Sequence, residues 1–291
     1  MLECLLRTWP CGRRRASYRA IHHWGQASPH AFIKKVSSKK KGMHPLSVKG
    51  SKSENRWSQT RHEIFSPLPC KVIAVAPSGG GKSSLLLTFA NAVFENMDYW
   101  AIFSRSHMLD PALQDLKERI RERYKKRGVD EQSTPFLFEN LDSLTRVLAE
   151  QKQRVQELKE AEPPVTRLPQ LFVMIDDIGL EATRFSRVLD NAFANSRHYG
   201  TNLACGSQLF KSLSKSIRVN ADILCCHRLP AAEYESVEAE VVGTWVNKAQ
   251  FRELYEFAVS AHSHGFLTIK LKAKNPHKMF AADFSRWLHP T

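Results

Sequence analysis

KVIAVAPSGGGKSSLLL, residues Lys71 to Leu87, is a β-branched apolar run feeding a glycine-rich turn and then an apolar, helix-forming segment. A strand, a glycine loop and a helix in that order make a phosphate-binding P-loop. Gly79, Gly80 and Gly81 let backbone N–H groups fold around an anion, Lys82 can reach the β and γ phosphates, and the Ser83 hydroxyl can ligate Mg²⁺. A helix starting near Lys82 adds its N-terminal partial positive charge to the same oxygens. Ala76, Pro77, Ser78 and Ser84 complete the candidate ATP-binding segment. The usual pattern G-x-x-x-x-G-K-[ST] departs at its first position, where Ala76 stands, a residue still small enough for close strand-to-loop packing.

Outward from this loop, the chain alternates strands and helices. A strand is expected over Val72–Val75, a helix over Lys82–Phe94 with Leu86, Phe89, Ala90 and Val93 at helical spacing, and a second strand over Tyr99–Phe103. This βαβ unit predicts a parallel sheet with a right-handed crossover. Asp110–Arg127 reads as a helix with Asp110-Pro111 at its start and a basic end, and Phe136–Phe138 as a short strand. From Asp142 or Ser143 a helix is expected with Leu144, Val147, Leu148, Val155 and Leu158 as its apolar stripe, stopped by Glu162-Pro163-Pro164. ADILCCHRL reads as a buried strand, Asn247–Ala261 as a helix, and Phe266–Leu271 as a late strand.

A second chemical landmark is LFVMIDD, Leu171 to Asp177, five apolar residues ending in two carboxylates. It has the form of a Walker B strand, delivering acids at the carboxyl edge where ligands bind in open α/β sheets. Asp176 is the candidate Mg²⁺ carboxylate, and Asp177 the residue that orients or deprotonates the attacking water. After a helix expected over Glu181–Ser196, the strand Asn202–Gly206 ends at Ser207-Gln208, which makes Gln208 a candidate sensor of the γ phosphate. His227, His262, His264 and His277 lack paired-ligand spacing, so satisfied or surface roles are expected for them.

Composition sets further bounds. The 291 residues are 42% hydrophobic, enough for one large α/β domain or two small ones, and contain no apolar run of membrane-spanning length, so the chain reads as soluble. Six cysteines without C-x-x-C spacing fit a reduced, intracellular protein, in nucleus or cytoplasm. The net charge is +14, of which residues 1 to 70 supply +11 through 14 Lys/Arg against Glu3, Glu54 and Glu63. The basicity therefore belongs to a leader, residues 1–62, expected to be disordered and able to hold polyanions or act as an import signal; its Arg-rich, acid-poor start also resembles a mitochondrial transit peptide. The ATPase domain is expected over 63–291.

Taken together, APSGGGKSS, VMIDDIG, SRHYGTNLACGSQ, SIRVNADILCCHRL and GFLTIKL resemble the viral DNA-packaging ATPases of the FtsK/HerA superfamily, the poxvirus-type enzymes also carried by giant viruses and by Maverick/Polinton elements. The resemblance runs from about Pro67 to the C-terminus and implies a strand-inserted (ASCE), RecA/FtsK-like P-loop fold with a mainly parallel central sheet flanked by helices. It implies hydrolysis of ATP with Mg²⁺, coupled to moving double-stranded DNA into a capsid. In motors of this type an arginine precedes the strand that ends in the sensor glutamine. Arg197 stands in that order and is the candidate arginine finger acting on a neighbouring subunit, with Arg218 as the alternative. A finger in trans implies a homo-oligomeric ring, pentamer or hexamer, and a portal or capsid protein is an implied partner. Lys211 and Lys215, after Gln208, are weaker candidates for sequence-independent contact with DNA phosphates. Three other readings remain open at this level: a different DNA motor for transfer or segregation, a P-loop nucleotide kinase, and a non-hydrolysing nucleotide-binding subunit.

Overall fold

All five residues of strand β1 (Lys71–Val75) are buried. Successive side chains leave a strand on opposite faces: Ile73 and Val75 enter one apolar cluster, while Val72 and Ala74 enter another on the far side. A strand buried on both faces reads as a continuous apolar run rather than an alternating one. The same rule accounts for β2 (Tyr99–Phe103) and β4 (Leu171–Ile175), where Phe172 and Met174 face one cluster and Leu171, Val173 and Ile175 the other.

The computed structural model describes residues 56–105, 111–163, 165–176, 184–243 and 245–290. Within them, β1, β2 and β4 join β3 (Leu137–Phe138), β5 (Thr201–Ser207), β6 (Ile223–Cys226), β7 (Leu267–Lys270), β8 (Phe280–Ala282) and β9 (Arg286–Leu288) in one sheet of order β3-β2-β4-β5-β1-β6-β7-β8-β9. The pairings from β3 through β6 are parallel, and those from β6 to β9 are antiparallel. The fold is thus α/β with a mainly parallel sheet. β4 and β5 stand between β1 and β2, so the strands of the first βαβ unit are not neighbours.

Helices α1 (Lys82–Val93) and α2 (Pro111–Arg127) cover one face of the sheet. On the other lie α3 (Leu144–Glu160), α4 (Ser186–Asn195), α5 (Lys215–Asn220), α6 (Ala231–Val241) and α7 (Lys248–Ser260). Among the described residues no helix is long and apolar enough to cross a membrane. Cys70, Cys205, Cys225 and Cys226 are buried and unpaired. The sequence pattern places most of these elements within a few residues, but not α6, β8 or β9. In α6 the carboxylates of Glu233 and Glu238 take buried positions, which blurs its apolar stripe. Glu233 is there to accept the Phe210 and Lys211 N–H groups, at 2.6 and 3.2 Å. β8 and β9, three residues each, are too short to show a period.

Residues 56–62, assigned to the leader from sequence, are docked on this domain. Leu168 N–H donates to the Arg56 carbonyl (3.1 Å), and the Gln59 amide exchanges hydrogen bonds with the Leu68 main chain (2.8 and 3.0 Å). Trp57 lies over Gly200, where a Cβ would come within 2.4 Å of the indole. Residues 1–55, Asp110 and the expected helix start Glu181–Thr183 lie outside the described residues.

The amino edge of the sheet is held by Asp222, just before β6. Its carboxylate accepts the Lys71 N–H (3.0 Å), Arg197 (2.6 Å) and Lys272 (3.0 Å). Beside it the Lys71 ammonium is buried and donates to the Phe193 carbonyl (2.9 Å); burial pulls its pKa down to about 8, against the opposing pull of Asp222. Removing one member of a buried charge cluster leaves the others uncompensated. Asp222→Ala is therefore expected to lower stability by about 3 kcal/mol, read as a shift in urea midpoint. Arg197→Ala, whose side chain is 53% exposed, is expected to cost no more than about 1 kcal/mol.

Candidate nucleotide site

The loop after β1 is anchored at the centre of the sheet. Ala76 N–H donates to the Ser207 carbonyl of β5 (3.2 Å), and His227 N–H, after β6, donates to the Val75 carbonyl (3.0 Å). Gly81 has φ 95°, a left-handed conformation that side chains resist. At Gly80 a Cβ would fall 2.9 Å from the Ala76 Cβ and 3.0 Å from the Pro77 carbonyl oxygen. Ala76 at the pattern's first position thus lies against the turn and is itself fully buried. Helix α1 begins at Lys82 with no side-chain cap and no acid in its first turn, so its amino-terminal N–H groups keep their affinity for an anion. The Lys82 ammonium donates to the Ala76 and Pro77 carbonyls, both at 3.0 Å.

Chain folding brings the two sequence landmarks together: Ser83 Oγ donates to Asp176 Oδ2 at 2.9 Å. Asp176 follows β4 and is set by its N–H bond to the Phe103 carbonyl of β2 (2.9 Å). A hydroxyl and a carboxylate are the hard oxygen donors that Mg²⁺ takes at about 2.0–2.1 Å, and adjacent vertices of such an octahedron lie about 2.9 Å apart. These two residues therefore fit an Mg²⁺ ion, with the loop amides and Lys82 disposed for the phosphates. Gln208 follows β5, the strand between β1 and β4, and is exposed at the same carboxyl edge. Asp177 lies outside the described residues. Pro77, Ser78, Gly79 and Ser84 are in the loop and first helical turn, as their positions require.

Arg197 is at the opposite edge, in the short 3₁₀ turn Ser196–His198 before β5, paired with Asp222. Arg218, on α5, pairs with Glu240 (2.6 Å) and donates to the Leu213 carbonyl (3.0 Å). Neither arginine joins Ser83 and Asp176 within one chain. Lys211 and Lys215 are exposed on the segment that follows Gln208.

Sequence reasoning gave no place at the site to three residues of the carboxyl edge. Arg105 follows β2 and Glu139 follows β3, both on strands beside or beyond β4. His227 follows β6 and is 4% exposed, so of the satisfied or surface roles expected for it the surface one does not apply. Its Cε1 would lie 3.2 Å from a Cβ on Gly81, and His264 is almost as close at 3.4 Å. The signal that could have found all three is their place immediately after a parallel strand, on the edge where open α/β sheets bind ligands.

No protein-family model matches the chain, and no curated protein does. Among solved structures, it is similar to the genome-packaging NTPase B204 of Sulfolobus turreted icosahedral virus 2 in complex with ATP-γS. Identity is 14%, coverage 74% of this chain and 96% of that one, and the TM-score 0.48. The cytoplasmic domain of the type VII secretion ATPase EccC of Thermomonospora curvata aligns at 13% identity over 75% of this chain, with TM-score 0.47. EssC ATPases 2 and 3 of Geobacillus thermodenitrificans align at 14% over 74%, with TM-score 0.45. The match covers only 25% of EccC's length and 39% of EssC's.

His227 carries a pH signature. Burial first, then the positive fields of His264 and Lys82, lower its pKa from 6.5 to about 4, while Asp283 opposes them. Between these values the unfolded chain takes up a proton that the folded chain refuses, so stability falls as pH drops from 6.5 towards 4 and levels off below. The full effect is roughly 3 kcal/mol. His227→Gln is expected to flatten that limb of a melting-temperature profile between pH 7 and 4. An unchanged acid slope would remove His227 as its source.

Proposed function

We propose that this chain is an Mg²⁺-dependent ATPase that moves double-stranded DNA, and that it is a packaging motor of the FtsK/HerA type for a viral or transposon-like genome. The observation that carries the reading is the 2.9 Å contact between Ser83 and Asp176. It joins a glycine loop with an unopposed helix terminus to the acid end of a strand one place removed, and β5 between them is followed by Gln208. This arrangement suits phosphoryl transfer to water, where catalysis is mostly positioning and charge neutralisation.

In this reading the amides of Gly79 to Ser84 and the Lys82 ammonium hold the β and γ phosphates. Lys82 exchanges its loop carbonyls for phosphate oxygens as nucleotide enters. Ser83 and Asp176 hold Mg²⁺, which when bound neutralises charge on those oxygens. Asp177 takes or directs the proton of the attacking water, and Gln208 aligns that water against the γ phosphate. Arg197, at the edge away from its own loop, serves the nucleotide of an adjacent subunit in a pentameric or hexameric ring, giving up Asp222 to do so; Arg218 is the alternative. Lys211 and Lys215 meet DNA phosphates without reading sequence. The capsid or its portal is the docking partner, in nucleus or cytoplasm.

The test is ATP turnover by the full chain with and without long double-stranded DNA. Wild type is expected to be stimulated by DNA, Lys82→Ala and Asp177→Ala to be inactive, and Arg197→Ala to lose ~10³-fold or more. Mixing the Asp177→Ala and Arg197→Ala chains is expected to restore part of the activity, because one subunit supplies the finger and the other the intact site. Turnover indifferent to DNA would remove the motor, and absence of turnover in every oligomeric state would remove the enzyme.

A further inference from the structure

Beside the glycine loop is a pocket of ≈ 380 Å³ whose wall away from the loop none of the roles above uses. One wall is the outer side of the loop, Pro77 to Gly80; the other is the turn His227 to Pro230 after β6, with Val259 and Ser263 closing the end. Its volume falls in the ~300–1,000 Å³ range of small-molecule sites. It is continuous with the loop, so a molecule whose phosphates sit on the amides of α1 has this cavity within reach of its remaining half. We propose that this pocket holds the nucleoside of a bound purine nucleoside triphosphate, gripping it by shape and apolar contact and discriminating poorly between adenine and guanine. This inference rests on the nucleotide-binding reading of the loop.

The weak discrimination follows from where the polar groups of the turn are spent. Leu229 N–H donates to the Tyr255 hydroxyl (2.7 Å), which in turn donates to the His227 carbonyl (2.9 Å). Pro230 has no N–H, and its carbonyl accepts both Glu233 and Tyr234 N–H groups, at 3.0 and 2.9 Å. On the facing wall, Gly80 N–H is taken by the Pro77 carbonyl (3.1 Å). Main-chain groups that could read a Watson–Crick edge are thus committed at Leu229, Pro230 and Gly80. The rest of the lining is apolar at Leu229, Pro230 and Val259; its polar side chains are Ser78, Arg228 and Ser263, all exposed and none fixed by burial, and His227, whose Nε2 is enclosed away from the pocket surface. Adenine and guanine reverse donor and acceptor at positions 6 and 1, and guanine alone carries a donor at position 2. Rejecting one of them strongly requires fixed complementary groups, whereas apolar contact alone separates ligands by only ~10- to 200-fold. Two purines of nearly the same outline fall at the low end of that range.

Equilibrium binding of ATP, GTP and inorganic tripolyphosphate to the full chain tests this, in wild type, Lys82→Ala and Ser263→Trp. Ser263 is exposed, so the larger ring can enter the pocket without displacing core. Wild type is expected to bind ATP and GTP within about tenfold of each other, and both more tightly than tripolyphosphate. Ser263→Trp is expected to weaken both nucleotides by about tenfold or more and to leave tripolyphosphate unchanged, which also reports that the loop is folded. Unchanged nucleotide affinity in Ser263→Trp, or a preference between ATP and GTP well beyond tenfold, overturns the pocket assignment while tripolyphosphate binding keeps the loop reading intact. Failure of wild type to bind any of the three, or binding indifferent to Lys82→Ala, overturns the loop reading and this inference with it.

Discussion

The site depends on the burial of β1 in the middle of the sheet. Hydrogen-bonded on one side to β5 and on the other to β6, and covered on both faces, this strand has no freedom to tilt or slip. The loop that leaves it starts from a fixed point, and its first N–H is tied to Ser207. From that point α1 must lean across β5 to bring Ser83 to Asp176, a span of two strand spacings or about 9.6 Å. β5 makes the approach possible by being small on that side: Ala204, in the cluster that packs on α1, and Gly206, two residues further along the same face.

The two edges of the sheet handle charge differently. At the amino edge, Asp222 gathers a main-chain N–H, Arg197 and Lys272, so positive charge near the strand starts is locally answered. At the carboxyl edge, Lys82 donates to two loop carbonyls, α1 carries no acid in its first turn, and burial keeps the imidazole of His227 neutral near neutral pH. An anion arriving there finds amides and an ammonium already oriented, with no competing carboxylate of α1 to displace. The arrangement is the electrostatic complement of a polyphosphate, built from backbone geometry as much as from side chains.

Legibility in sequence followed the range of the interactions involved. VIAV and LFVMI announced themselves because a two-face-buried strand needs an unbroken apolar run, and SGGGKS because its turn needs glycine and a phosphate-binding loop calls for Lys and Ser. α6 was hidden because Glu233 is buried for the sake of Phe210 and Lys211, a contact between segments more than 20 residues apart. The surroundings of His227 were hidden for the same reason: its neighbours Gly81 and His264 come from separate parts of the chain. The docked residues Arg56 to His62 looked like leader because their partners Leu168, Leu68 and Gly200 are distant or main-chain.

Sequence by itself determined the α/β class, the loop that can hold phosphate, and the acid-ended strand that can hold a metal, since each is a local pattern imposed by backbone conformation or by burial. Only the tertiary structure decided that β5 separates the two landmarks, that Ser83 touches Asp176, that Arg197 stands at the far edge on Asp222, and that a pocket opens between the loop and the turn after β6. Those features are pairings between residues remote along the chain. A one-dimensional pattern records which side chains exist and at what period, whereas strand order and register decide which of them meet.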